Sequence, residues 1–163
     1  MQELENQMSD DKDQLYTLMK AFFEQNVPFA KHTGIELLVI ADGHGSAQLP
    51  DLQHSQNHMG SQHAGALFTL AEAASGAASV SLFADKIAVV RAAIVDAKIE
   101  YKKSARGPIH AEGTLRRKGA DIMEEFGREG AVNFAVDVSL TNAEGVEVAS
   151  MEVNWRIKST ATS

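Results

Sequence analysis

The chain has 163 residues, of which 44% are hydrophobic and 23% charged, with a formal net charge of -7 and no cysteine. That length suits one globular domain with a real core and is too short for two ordinary ones, and the composition excludes extended disorder. The acidic balance argues against a general nucleic-acid binder, and the missing thiols exclude a disulfide framework and thiolate metal sites.

Residues 1 to 26 carry six acids, Glu3, Glu5, Asp10, Asp11, Asp13 and Glu24, where a secretory signal would need a basic start and an apolar centre. A cytoplasmic location is therefore the expectation. Leu15, Leu18, Met19, Phe22 and Phe23 recur at helical spacing behind Asp10 and Asp11, which favour a helix start. The helix should end before Pro28, because the residue preceding a proline is pushed out of the helical region. Gly34 then opens an apolar run, Ile35 to Ile40, read as the first strand, and Asp42-Gly43 turns the chain into a second strand, His44 to Leu49. Residues 50 to 62 have no apolar period and read as a loop.

A long apolar helix is expected from about Ala64 to Ala84. Beyond it the period changes to two. Val95, Ala97, Ile99 and Tyr101 form the inward set of one strand, and Ile109, Ala111, Gly113 and Leu115 that of the next. Lys118 to Glu129 contains two glycines and admits either a loop or a short helix. Val132 to Leu140 and Ala149 to Ile157 then alternate as two further strands. The order predicts an α+β domain in which an antiparallel sheet of five to six strands wraps around the long helix. The boundaries expected are an N-terminal helical extension over 1–27, the main domain over 28–158 and a flexible tail over 159–163.

Glu72 is the only formally charged side chain between His63 and Ala84. An ionised carboxylate in an apolar setting must be paired, neutralised or reached by solvent or ligand. Its bland reading is a carboxylate satisfied by Ser75 or Ser79. A membrane span over this segment is not expected, since a central Glu would cost roughly 2.5 to 3.5 kcal/mol. Just before the helix lies the polar segment 57 to 65, NHMGSQHAG, so an anion-favouring helix start and a candidate base share one element. His54, His58 and His63, with Asp51 nearby, admit a metal reading, but they lie in a loop without defined geometry, and His63 is better read as orienting the loop or capping the helix start. No metal site is expected.

These residues resemble the signature of the hotdog-fold acyl-CoA thioesterases, near the phenylacetate-pathway type and related uncharacterised thioesterase-like branches. The signature runs Asn, two residues, Gly, two residues, His-Gly-Gly, with an acid nine positions after the His. Here those positions are Asn57, Gly60, His63, Ala64, Gly65 and Glu72, with Ala64 replacing the first glycine of the pair and Gly76 standing where a hydroxyl often follows the acid. The similarity extends over most of residues 28 to 158 and implies a hotdog fold. It implies a thioester carbonyl polarised by the Ala64 N–H, with Gly65 nearby, Glu72 as base or nucleophile, and Asn57 positioning water or the carbonyl. No cofactor is implied, coenzyme A being part of the substrate.

Ala64 and Glu72 are about 12 Å apart along a helix axis, so they reach one carbonyl only from different chains. A homodimer is thus required, with a dimer of dimers open. From Lys98 to Lys118 there is a local excess of five positive charges, from which Lys102, Lys103 and Arg106 are the candidates for the phosphates of coenzyme A. Leu67, Phe68 and Leu70 are candidates for the acyl pocket, with core packing the plainer role, and Trp155 reads as core. Two other functions stand beside the hydrolase, a hotdog hydratase or dehydratase and a noncatalytic acyl-CoA-binding module.

Overall fold

The computed structural model describes residues 2–161. Helix α1 (Gln2–Asn26) begins well before Asp10 and Asp11, which lie inside it rather than at its start. Pro28, at the first turn of α2 (Pro28–Thr33), separates the two helices, as its fixed φ and missing N–H favour. Gly34 ends α2 in the left-handed conformation at φ 82, and its N–H and that of Ile35 close on the Lys31 and Ala30 carbonyls.

Six strands follow the expected order: β1 (Glu36–Ala41), β2 (His44–Leu49), β3 (Val90–Tyr101), β4 (Ile109–Leu115), β5 (Ala131–Asn142) and β6 (Glu147–Ser159). They form one antiparallel sheet in the order β1-β2-β4-β5-β6-β3, leaving β1 and β3 at its edges. The sheet curls around α3 (Ala64–Ser81), the hotdog arrangement. A helix wrapped in this way needs no polar face, which accounts for its composition. It ends three residues earlier than expected and passes through Leu82 into a 3-10 segment, Ala84–Val89.

The seat of α3 on the sheet is set by two glycines. A Cβ on Gly45 of β2 would lie 2.4 Å from the Ala74 carbonyl oxygen and 2.5 Å from the Ala78 nitrogen, and one on Gly113 of β4 would lie 2.9 Å from the same carbonyl oxygen. Backbone therefore rests nearly on backbone, with Ala74, Ala77 and Ala78 supplying the helix side of the contact.

In β5 and β6 the alternation runs as read, with Val136, Leu140, Ala149, Val153 and Ile157 all inward and fully buried. In β3 it does not. The register against β6 shifts between Ile94 and Asp96, so Val95 occupies a bulge and is 58% exposed instead of facing the core. One inserted residue inverts the pleat on either side of it. Ala92 and Ile94 therefore face inward before the bulge, Ala97 and Ile99 after it, while Tyr101 is exposed.

The ambiguous segment is helix α4 (Gly119–Glu129), stopped by Gly130 at φ 68. Ile122 and Phe126, one turn apart, are buried, and Phe126 meets Phe83 edge to face at 5.0 Å. The expected tail lies partly outside the described residues, at Thr162 and Ser163. Within them, the Thr160 N–H donates to the Val89 carbonyl. Among the described residues no helix is long and apolar enough to cross a membrane.

Candidate active site

The start of α3 is built by the loop before it. Asn57 folds the 57–61 turn on itself: its side-chain oxygen accepts the Met59 N–H at 2.9 Å and its amide donates to Ser61 Oγ at 2.9 Å. Gly60 completes that turn at φ 68. Arg106 closes it from the other side, its guanidinium donating to the Met59 and Gly60 carbonyls at 3.2 Å each. Gln62, missed in the sequence, fixes the loop to the body. It is 3% exposed, donates to the Gly107 carbonyl at 3.0 Å and accepts from Ser55 Oγ at 2.7 Å, while its backbone N–H reaches the Ala105 carbonyl at 2.7 Å. Its sequence signal was only a polar residue beside a helix cap.

His63 is the N-cap of α3, and its Nδ1 accepts the Gly65 N–H at 2.9 Å. This assigns it the capping role and uses up the Gly65 amide, leaving Ala64 as the signature position with an uncommitted helix-start donor, since the first amides of a helix have no intrahelical acceptor. His63, Ala64 and Gly65 are all exposed. Removing the cap in His63→Ala is expected to cost about 0.5–1.5 kcal/mol, the worth of one such hydrogen bond, read as a lower midpoint in urea unfolding with unchanged slope.

Two turns further along, Glu72 is exposed on the single chain rather than buried within it. The Ser75 hydroxyl donates to the Glu72 carbonyl at 2.9 Å and accepts from Trp155 Nε1 at 3.2 Å, while Ser79 Oγ is buried without a partner. Neither serine satisfies the carboxylate, which has no hydrogen bond or ion pair among the described residues. Desolvation by its apolar neighbours holds its pKa above the usual carboxylate value.

Those neighbours line a half-open cavity of about 870 Å³ between α1, α3 and β1. Thr69, Glu72, Ala73, Gly76, Ala77 and Val80 present one face of α3 to it, and Glu72 is the one charged residue among those that line it. Leu67 and Leu70 instead face the core, 3% and 0% exposed, and Phe68 packs against it half-buried, so none of the three lines the cavity. Trp155 is 8% exposed and borders the cavity, its ring 3.6 Å from where a Cβ on Gly76 would stand. A larger residue than glycine there would press on the indole.

The basic ribbon is partly neutralised. Arg116 pairs with Asp137 and Glu152, Arg117 with Glu125, and Lys102 with Glu147. The turn carrying Lys102, Lys103 and Arg106 nonetheless flanks the helix start: the Tyr101 hydroxyl donates to the Ala64 carbonyl at 3.0 Å, and Arg106 grips the 57–61 loop. No cluster of three or more metal-ligating side chains is present among the described residues.

The family described as a domain of unknown function, DUF4442, matches residues 16–157. The chain belongs to the DUF4442 family. No curated protein matches it. Among solved structures, this DUF4442 chain is similar to PA5026 from Pseudomonas aeruginosa, a protein of unknown function described as a probable thioesterase. The two are 25% identical over 88% of this chain and 95% of that one, with a TM-score of 0.75. It shares its fold with the E. coli PaaI protein from the phenylacetic acid degradation operon, at 18% identity over 91% of this chain and 96% of that one, TM-score 0.67. It also shares it with a mutant of the thioesterase enzyme SAV0944 from Staphylococcus aureus, at 17% identity over 80% and 98%, TM-score 0.67. The hotdog fold of the DUF4442 chain is thus that of thioesterase-like proteins.

Proposed function

We propose that the protein is an acyl-CoA thioesterase, with Glu72 activating water or attacking the carbonyl and the Ala64 N–H stabilising the oxyanion. The observation that carries this reading is the pairing, on one helix, of a partnerless carboxylate facing an apolar cavity with an exposed start whose first amide has no helical acceptor. As the thioester carbon becomes tetrahedral, negative charge develops on oxygen, and a preorganised donor there contributes roughly 2.7–4 kcal/mol. A carboxylate with a raised pKa is a stronger base toward water than an ordinary one. Asn57, Gly60, Gln62 and His63 hold the donor in place, and the phosphates of coenzyme A are assigned to the turn carrying Lys102, Lys103 and Arg106 because it flanks the helix start.

The separation of eight positions between Ala64 and Glu72 keeps the two groups on different sites within one chain, since they stand about 12 Å apart along the axis. The complete site therefore takes Glu72 from one protomer and Ala64 from its partner. In support, β3 is a twelve-residue edge strand, and Val89, Val95 and Tyr101 at or beside it are 47%, 58% and 48% exposed. An unpaired edge of that length, with these apolar side chains exposed, is suited to pairing with a second copy.

The test is thiol release from a panel of acyl-CoA and aryl-CoA thioesters. Turnover on at least one is expected. Hydration of an enoyl-CoA without thiol release would instead identify a hydratase, and tight acyl-CoA binding without turnover on any member of the panel would identify a binding module.

A further inference from the structure

We infer that α1 is the specificity wall of this site and that the preferred substrates are thioesters of long, apolar acyl chains; the substrate assignment rests on the hydrolase reading above. The cavity of about 870 Å³ lies near the top of the range of about 300–1,000 Å³ found for ligand pockets, far more room than a short acyl group fills. Its outer wall is the apolar stripe of α1, Leu15, Leu18, Met19, Phe22 and Phe23, of which Met19 and Phe23 pack against the core at its floor. Leu18 and Phe22 remain 67% and 66% exposed although they line the cavity, so the helix borders this volume without filling it.

Two features keep it open. On the opposite wall, Ala73, Gly76 and Ala77 present almost no side chain to the cavity. Midway along α1, on a face that does not line the cavity, Lys12 and Tyr16 donate hydrogen bonds at 2.8 Å and 3.0 Å to Asp42 in the β1–β2 turn, fixing the helix to the sheet. The chemistry of the lining selects the occupant. Apart from Glu72 and Thr69 it offers no polar side chain except the indole of Trp155, whose N–H is already given to Ser75. A long hydrocarbon with an uncharged carbonyl head fits it. The free fatty acid does not fit as well, because its carboxylate would meet the ionised Glu72, and this repulsion favours release of the product.

The experiment compares kcat/KM across unbranched acyl-CoAs from four to sixteen carbons for wild type, the double variant Leu18→Ser/Phe22→Ser, Val80→Phe, and Leu38→Ser as a surface control away from the cavity. Binding is followed in parallel, without turnover, through displacement of the neutral dye N-phenyl-1-naphthylamine by 1-alkanols. In wild type both series should rise about fourfold per methylene until the cavity is filled. The double variant should lower the ratio of dodecanoyl to butanoyl kcat/KM at least tenfold. Val80→Phe, which occupies the cavity from the α3 side, should bring the plateau to shorter chains, and Leu38→Ser should leave the profile as in wild type. Equal slopes in wild type and the double variant would overturn the inference, as would loss of self-association in that variant with an unchanged ratio, which would assign the α1 face to a second copy. Chain-length-dependent dye displacement that the double variant removes, in a protein with no hydrolysis, would support the cavity assignment and refute the hydrolase reading. Hydrolysis with a flat wild-type profile would do the reverse.

Discussion

Glu72→Gln is expected to lower kcat by about 10²- to 10⁴-fold, the range associated with removing a positioned acid or base, while leaving the protein no less stable than wild type. The amide has the same shape and cannot take a proton from water or attack a carbonyl. The stability expectation follows from the raised pKa. Below the unfolded-state pKa the carboxyl is protonated in both states and costs nothing. As pH rises through the unfolded and then the folded value, the unfolded chain ionises first, so stability falls and stays lower at neutral pH. The variant lacks this loss. Its thermal midpoint should equal or exceed that of wild type at pH 7, with the difference shrinking toward pH 3. The same shift predicts the wild-type pH–rate profile, in which kcat/KM rises with pH through a midpoint above the usual carboxylate range. A midpoint at the ordinary value, or wild-type turnover in Glu72→Gln, would remove Glu72 from the mechanism.

The second large effect is structural. Gly45→Ala should destabilise the fold by about 3 kcal/mol or more, at or beyond the upper end of ordinary overpacking, which corresponds to a fall of roughly 6–12 °C in Tm for a chain of this size. The added Cβ would stand 2.4 Å from the Ala74 oxygen, 2.5 Å from the Ala78 nitrogen and 2.6 Å from the Ala77 Cβ. Two of those three atoms are backbone, so no rotamer change relieves the clash, and α3 must lift from the sheet. Because α3 carries both Ala64 and Glu72, activity should fall with stability. Gly127→Ala provides the comparison, since a Cβ there meets nothing within 4 Å and the residue lies within α4. That change should be neutral or stabilising by up to about 1 kcal/mol. Thermal melts of both variants suffice, and a Gly45→Ala protein melting with wild type would contradict the close seating of α3.

The strands were legible where one face is buried and the pleat is unbroken, as in β5 and β6, because alternation then records burial directly. The bulge at Val95 left no local mark: apolar residues stand on both sides of it, and only the pairing with β6 decides which face each takes. Helix α4 was obscured by its glycines, and its buried face packs in part on the distant Phe83, which meets Phe126. At the site, the spacing from Asn57 to Glu72 carried the candidate residues correctly onto one loop and one helix. It did not reveal that the side chains of Asn57 and Arg106 are engaged in holding the loop, or that Glu72 opens outward, because both depend on what the rest of the chain brings alongside. The stripe on α1 was likewise readable as a helix face, but the cavity it borders is a property of tertiary packing.

Complementation between two inactive variants, Glu72→Gln and Ala64→Pro, tests the shared site most directly. Ala64→Pro removes the proposed oxyanion donor by deleting its N–H, and the first position of a helix tolerates proline. The preceding His63 already has φ -65 and ψ 140, the extended conformation a following proline requires. Each variant alone should be nearly inactive. Unfolded together and refolded as a mixture, they should form heterodimers in which the Glu72 of one chain faces the intact Ala64 N–H of the other. Equal mixing should then restore about a quarter of wild-type activity, since half of the dimers are mixed and each holds one complete site. Heterodimers that form without any recovery of thiol release would contradict a site shared between two chains.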